Sequence, residues 1–132
     1  GEHVEIETYL RPISRYLRRV RTCVAGIFLP HATVQGRTAM LTAALGIPLV
    51  VSDDVETHRR LYGATAVRWY DVSGATRLAA RLLEDPEFRQ VVGSAARAAV
   101  VEYDVRECRA RLETALRSVP VRAGRLVAEG NP

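Results

Sequence analysis

The sequence contains no lysine; all nineteen of its basic residues are arginine. A lysine Schiff base and a phosphate-binding loop ending in lysine are excluded at once. With many Ala, Val and Gly, this usage is expected of coding bias in a GC-rich, bacterial genome. Aromatic residues are few, 6% of the chain, so stacking of bases along a nucleic-acid surface has little to rest on. There are two cysteines, Cys23 and Cys108; they read as small core hydrophobes in a reducing, cytoplasmic compartment. The longest apolar runs, Cys23–Leu29 and Ile47–Val51, are far too short to cross a bilayer. No signal peptide is visible, and the chain starts with Gly1, as expected of a fragment or a processed chain.

What is present is one domain's worth of globular sequence: 132 residues, 48% hydrophobic, net charge +4. Residues 3–8 alternate like a short strand. Pro12 to Arg21 places Ile13, Tyr16, Leu17 and Val20 on one helical face. The run 22–29 reads as a strand covered on both sides. A helix is expected over 36–45 with Gly46 as its left-handed cap, then a strand over 49–52 opened by Pro48. A helix over 55–62, ended by Gly63, precedes a third strand over 66–70. Three helices follow. Ser73 is the expected cap of the first, with Ala75, Leu78, Ala79, Leu82 and Leu83 as its stripe. Asp85-Pro86-Glu87 starts the second, with Phe88, Val91, Val92 and Ala95 inward. Asp104 and Glu107 form a capping box for the third, whose stripe is Val105, Cys108, Leu112 and Leu116. Alternating strands and helices predict a Rossmann-like α/β fold, a parallel sheet with flanking helices and a helical C-terminal end. The strands at 22–29, 49–52 and 66–70 are expected to be neighbours.

The segment LPHATVQGRTAML, residues 29–41, joins a strand to a helix, where ligands of open parallel sheets bind. Backbone N–H groups at the amino end of the helix favour a diphosphate, Gly36 permits close approach, and Arg37 and Thr38 add a charge and a hydroxyl. His31 is more simply a solvated loop side chain, and Trp69-Tyr70 more simply core packing than a base-stacking pair. Arg15, Arg18 and Arg19 share a helix face suited to an anionic membrane or RNA, although three charges are usually a solvated face. No metal-ligand spacing and no nucleophile–base pair stands out, so no metal, cofactor or catalytic residue is assigned.

The stretch FLPHATVQGRTAMLTAALGIPLVVSD, followed by LAARLLEDPEFRQVVGSAAR, resembles the C-terminal, donor-binding domain of GT-B-type retaining glycosyltransferases that use nucleotide sugars. The likeness runs from about Val4 to Leu116 and rests on the order and spacing of motifs, none specific alone. It implies a donor-side site at Thr33, Gln35, Gly36, Arg37 and Thr38. Two departures matter. The family's paired glutamates fall on Thr33 and Leu41, and leucine cannot accept a ribose hydrogen bond; a further family glutamate falls near His58. The family's two upstream strands, with their pyrophosphate-clamping Arg and Lys, and its acceptor domain are not in this sequence.

The resemblance therefore implies residues 1–118 as the C-terminal part of a nucleotide-sugar-binding domain and 119–132 as a tail. The expected function is donor-side participation in a hexosyltransferase-type glycosyltransferase, with this chain inactive alone. Its expected partners are a nucleotide-sugar donor, the upstream part of the enzyme or a second copy, and no nucleic acid, with peripheral membrane contact open. The competing reading is a non-catalytic, glycosyltransferase-like scaffold. A receiver-like domain would need acids at a strand end for magnesium; only Asp53-Asp54 offers them, after the wrong kind of strand.

Overall fold

The computed structural model describes residues 13–30 and 36–118. The expected strand at 3–8 and the tail after 118 lie outside the described residues. The elements are α1 (Ile13–Val20), β1 (Gly26–Phe28), α2 (Arg37–Ala44), β2 (Leu49–Ser52), α3 (Glu56–Tyr62), β3 (Ala66–Val67), α4 (Val72–Glu84), α5 (Pro86–Ala99) and α6 (Val105–Ser118). Single 3₁₀ turns follow α3, at Gly63–Thr65, and α5, at Val100–Tyr103. The chain divides into two compact units, one ending at Val101 and one beginning at Glu102.

In the first unit the three strands form a parallel sheet in the order β1-β2-β3. Gly26 pairs with Leu49 and Phe28 with Val51, while Val51 pairs with Ala66 and Ser52 with Val67. All four residues of β2 are buried, as a central parallel strand demands. Helices α2 and α3 pack on β2 and on each other, α5 packs on α2, α3 and α4, and α4 reaches β2 and β1. The fold is thus mixed α/β and mostly helical, with the three expected strands adjacent and parallel.

β2 has the expected bounds, but β1 and β3 are shorter than the runs 22–29 and 66–70 that announced them. Thr22 and Cys23 close the end of α1 instead: their amides donate to the Arg19 and Val20 carbonyls, both at 3.0 Å, and the Thr22 hydroxyl donates to the Arg19 carbonyl at 2.7 Å. Satisfying α1's last carbonyls takes these residues out of the strand, and Cys23 is exposed rather than in the core. β3 stops at Val67, whose carbonyl accepts from the Asp53 amide; the chain then turns, Asp71 donating to the Arg68 carbonyl.

Helix ends follow local chemistry. After α2, the Gly46 amide donates to the Ala43 carbonyl and the Ile47 amide to the Thr42 carbonyl, both at 2.9 Å. With Gly46 at φ 70°, this is a Schellman closure that lets Pro48 start the next strand. Gly63 ends α3 as expected, and does so in right-handed geometry that continues into the 3₁₀ turn. The cap of α4 is Asp71, whose Oδ1 accepts from the Gly74 amide at 2.8 Å, while Ser73 lies inside the helix. Asp71, two residues before Ser73, stands just outside the first turn, where its carboxylate reaches an amide the helix itself cannot pair. Asp85 caps α5 through the Phe88 amide at 2.9 Å, with Pro86 at its first position. In the second unit Asp104 caps α6 through the Arg106 amide at 2.8 Å.

Three predicted stripes are rotated or uncovered in part. α5 buries Val92, Gly93 and Ala96, leaving Val91 and Ala95 exposed. The cause is Gly93, where an added Cβ would lie 2.3 Å from the Gly46 carbonyl oxygen. A gap in the apolar pattern is therefore the point of closest helix contact. In α4, Ala75 and Leu82 are buried but Leu83 is exposed, and on α6 Val105, Cys108 and Leu112 are all exposed.

Leu82→Ala is expected to cost about 2–5 kcal/mol, whereas Leu83→Ala should stay within about 0.5 kcal/mol of the parent. Urea titration followed by circular dichroism compares them, and equal losses would contradict the rotation of α4 described here.

Candidate functional site

The carboxyl edge of the sheet gathers the end of β1, the end of β2 and the amino ends of α2 and α3. Ser52, the last residue of β2, donates its hydroxyl to the Pro30 carbonyl at 2.8 Å and so ties the two strand ends together. Gly36 caps α2 in left-handed geometry, φ 67° and ψ 12°. A Cβ there would meet the Cβ and Cγ2 of Thr57 at 3.0 Å, so α2 begins directly against α3. Both the backbone angle and the space select glycine.

Gly36 has no side chain to offer α2's first amides, and α2 has neither an acid in its first turn nor a cap side chain. Arg37 is exposed and Thr38 half-buried. Thr38 also accepts, through its carbonyl, the hydroxyl of Thr42 at 2.9 Å. Gly36, Arg37 and Thr38 therefore stand together at the helix entrance, while Thr33, Gln35 and His31 lie outside the described residues. Leu41 is half-buried, one turn along α2.

Behind this entrance lies a polar group in the core. His58 on α3 is fully buried. Its Nδ1 stands 3.2 Å from the Ser52 carbonyl and 3.4 Å from the Ser52 hydroxyl. Because a carbonyl only accepts, Nδ1 carries the proton and Nε2 is left as a bare acceptor. Nε2 has no hydrogen-bond partner among the described residues. The ring meets Phe28 edge-on, with centroids 5.6 Å apart. Burial pushes the His58 pKa below its usual value, with the bond to the Ser52 carbonyl opposing that shift. The Ser52–His58 pair is not an activated nucleophile: its hydroxyl proton goes to Pro30, its imidazole proton to Ser52, and both residues are buried.

A second buried group braces the same layer. The Tyr62 hydroxyl donates to the Ile47 carbonyl at 2.8 Å and lies 3.1 Å from the Thr42 hydroxyl. Burial raises its pKa to about 12, so it stays a neutral phenol. The Thr65 hydroxyl donates to the Leu49 carbonyl.

Beyond β3 stand Arg68, Trp69 and Tyr70. Trp69 and Tyr70 are 42% and 56% exposed, so they are not core packing as expected from sequence. Their rings meet at 89° with centroids 5.4 Å apart, and the Arg68 guanidinium donates to the Tyr70 hydroxyl at 2.7 Å. Tyr70 first, and then Asp53 and Asp54, hold the Arg68 guanidinium more firmly protonated. With that cation facing them, Asp53 and Asp54 do not resemble an open magnesium pair. Among the described residues no group of three His, Cys, Asp or Glu side chains could hold a metal ion, and no helix is long and apolar enough to cross a membrane.

The sequence marked Gly36, Arg37 and Thr38 but missed the buried polar groups behind them. A serine closing an otherwise apolar strand, and a histidine between apolar turns of a short helix, were the available signals. Comparison with protein-family models, curated proteins and solved structures finds no match.

The His58 shift has a direct consequence. An unfolded histidine titrates near 6.5, and the folded one lower, so the unfolded chain binds more protons below that value. Stability should be fully present above about pH 6.5 and fall as the pH drops through the folded pKa. His58→Gln should flatten this dependence relative to the parent in denaturation series from neutral to mildly acid pH. An unchanged slope would mean that His58 is not held neutral by the fold.

Proposed function

We propose that this chain forms the donor side of a nucleotide-sugar-dependent glycosyltransferase, as the C-terminal part of a Rossmann-like, GT-B-type donor domain. The observation that carries the reading is the entrance to α2: a left-handed, buried Gly36 with no capping side chain, at the carboxyl edge of a parallel sheet. The first amides of α2, which Gly36 has no side chain to cap, and the helix dipole favour a diphosphate there, and Arg37 can add a charge-assisted bond. The contribution to chemistry is then positioning and charge stabilisation of the departing nucleoside diphosphate. Thr33 and Gln35 belong to the same proposed site.

The remaining support comes from order and coverage. β1 lies at the edge of the described sheet, and its Ile27 is 56% exposed, whereas strands of parallel sheets are normally covered on both faces. Further strands beside β1, supplied by an upstream part of the enzyme, would complete it. The acceptor and the cationic clamp also lie upstream in this reading, and the chain alone transfers no sugar. Leu41 and Thr33, where the resembled family has glutamates, favour a second reading as a non-catalytic scaffold.

Titration with uridine or guanosine diphosphate separates the two. The amides of Arg37, Thr38 and Ala39 should shift in NMR spectra, and Gly36→Ala should weaken binding while costing about 1–2 kcal/mol of stability. Movement of other amides while these three stay in place would put the site elsewhere. Leu41→Glu should gain about 1.5–3 kcal/mol of nucleotide affinity if its carboxylate reaches the ribose. A variant that folds normally and binds no better favours the scaffold.

A further inference from the structure

Residues 8–52 contain six arginines and not one aspartate or glutamate. All fifteen acids of the chain lie outside this stretch. On α1 the charge is concentrated: Arg15 and Arg18 sit one turn apart on the exposed side, away from half-buried Tyr16, Leu17 and Val20. Arg21 extends the set by one more turn, its amide donating to the Leu17 carbonyl at 3.0 Å, and its side chain is exposed. No residue from 14 to 30 is buried, and Val24, just after this turn, is 53% exposed.

We propose that α1 and the turn after it form a docking surface for an anionic lipid bilayer. The inference is independent of the donor-site reading. Four arginines elsewhere are matched by acids three or four residues away: Arg59 and Arg60 with Glu56, Arg81 with Asp85, and Arg109 with Glu113. Among the described residues, no acid pairs with Arg15, Arg18 or Arg21. Among the described residues no acid offsets the field of these three side chains, and it complements the negative potential of anionic headgroups. Guanidinium groups bind phosphate oxygens in pairs. The exposed apolar residue in the turn is aliphatic Val24, which suits the acyl boundary, whereas a surface for RNA would interleave exposed aromatics for stacking. The aromatics of this segment are otherwise engaged: Tyr16 is half-buried, and Phe28 packs against His58. The attachment is peripheral and electrostatic, so it is sensitive to salt.

The test is co-sedimentation of the full chain with phosphatidylcholine vesicles prepared with and without phosphatidylglycerol, at low and high salt. Binding is expected only with phosphatidylglycerol and is lost at high salt. Arg15→Glu with Arg18→Glu should lower vesicle partitioning roughly tenfold or more. Arg106→Glu with Arg111→Glu, the same change of charge on exposed positions of α6, should lower it far less. Val24→Asp should also weaken binding, and circular dichroism checks that each variant is folded. No binding to phosphatidylglycerol vesicles would overturn the proposal, as would equal losses in the two double variants. Binding of polyuridylate that depends on Arg15 and Arg18, without vesicle binding, would replace it with a nucleic-acid surface.

Discussion

The parallel pairing of β2 with strands on both sides is the constraint that organises the first unit. Parallel strands share no hairpin, so their register must be held by crossover helices and by contacts at the strand ends. Here hydroxyl groups make many of those contacts. Thr65 binds the Leu49 carbonyl at the start of β2, Ser52 binds the Pro30 carbonyl at its end, and Tyr62 binds the Ile47 carbonyl just before it. Each such bond adds about 0.5–1.5 kcal/mol net, and losing one partner costs about 1–3 kcal/mol in buried surroundings. A fully buried strand four residues long depends on these tethers as much as on its own ladder.

The same constraint shapes the candidate site. Helices α2 and α3 both begin at the carboxyl edge and pack on β2, so their amino ends come side by side. Gly36 against Thr57 is the contact that permits this. One consequence is an anion-favouring entrance built from backbone; another is that His58, one residue after Thr57, falls inside the core. There its Nδ1 serves the end of β2 and its Nε2 remains an acceptor without a described donor.

Much of this arrangement was legible in the sequence, for reasons that can be named. Gly46-x-Pro48 and Asp85-Pro86 are punctuation with one geometric meaning each, and both act as read. β2 spans the expected residues 49–52, but the other two strands are shorter than their apolar runs, because such runs do not reveal where helix-closing hydrogen bonds take over, as at Thr22 and Cys23. The stripe of α5 was misplaced because a glycine looks like an interruption, when at Gly93 it is the contact itself. Hydrophobicity alone assigns Trp69 and Tyr70 to the core, because it cannot register that the strand ends at Val67. The Ser52–His58 and Tyr62–Thr42 groups were invisible because they join residues from different elements.

The two anion-attracting features lie in the same acid-free third of the chain, yet they rest on different physics. At the entrance to α2 the field comes from fixed backbone dipoles and acts at hydrogen-bond distance, where a diphosphate bound as proposed would exclude the ions that screen it. On α1 it comes from long, exposed arginine side chains acting across water, where a Debye length of about 8 Å limits its reach at physiological salt. Salt should therefore weaken attachment through α1 much more than diphosphate binding at α2. The distinction also fixes what each feature can select. Backbone amides around Gly36 would impose a position and direction on one phosphate group, as the proposed donor site requires. The arginines of α1 impose only the sign of charge, which is sufficient for a surface made of many equivalent headgroups.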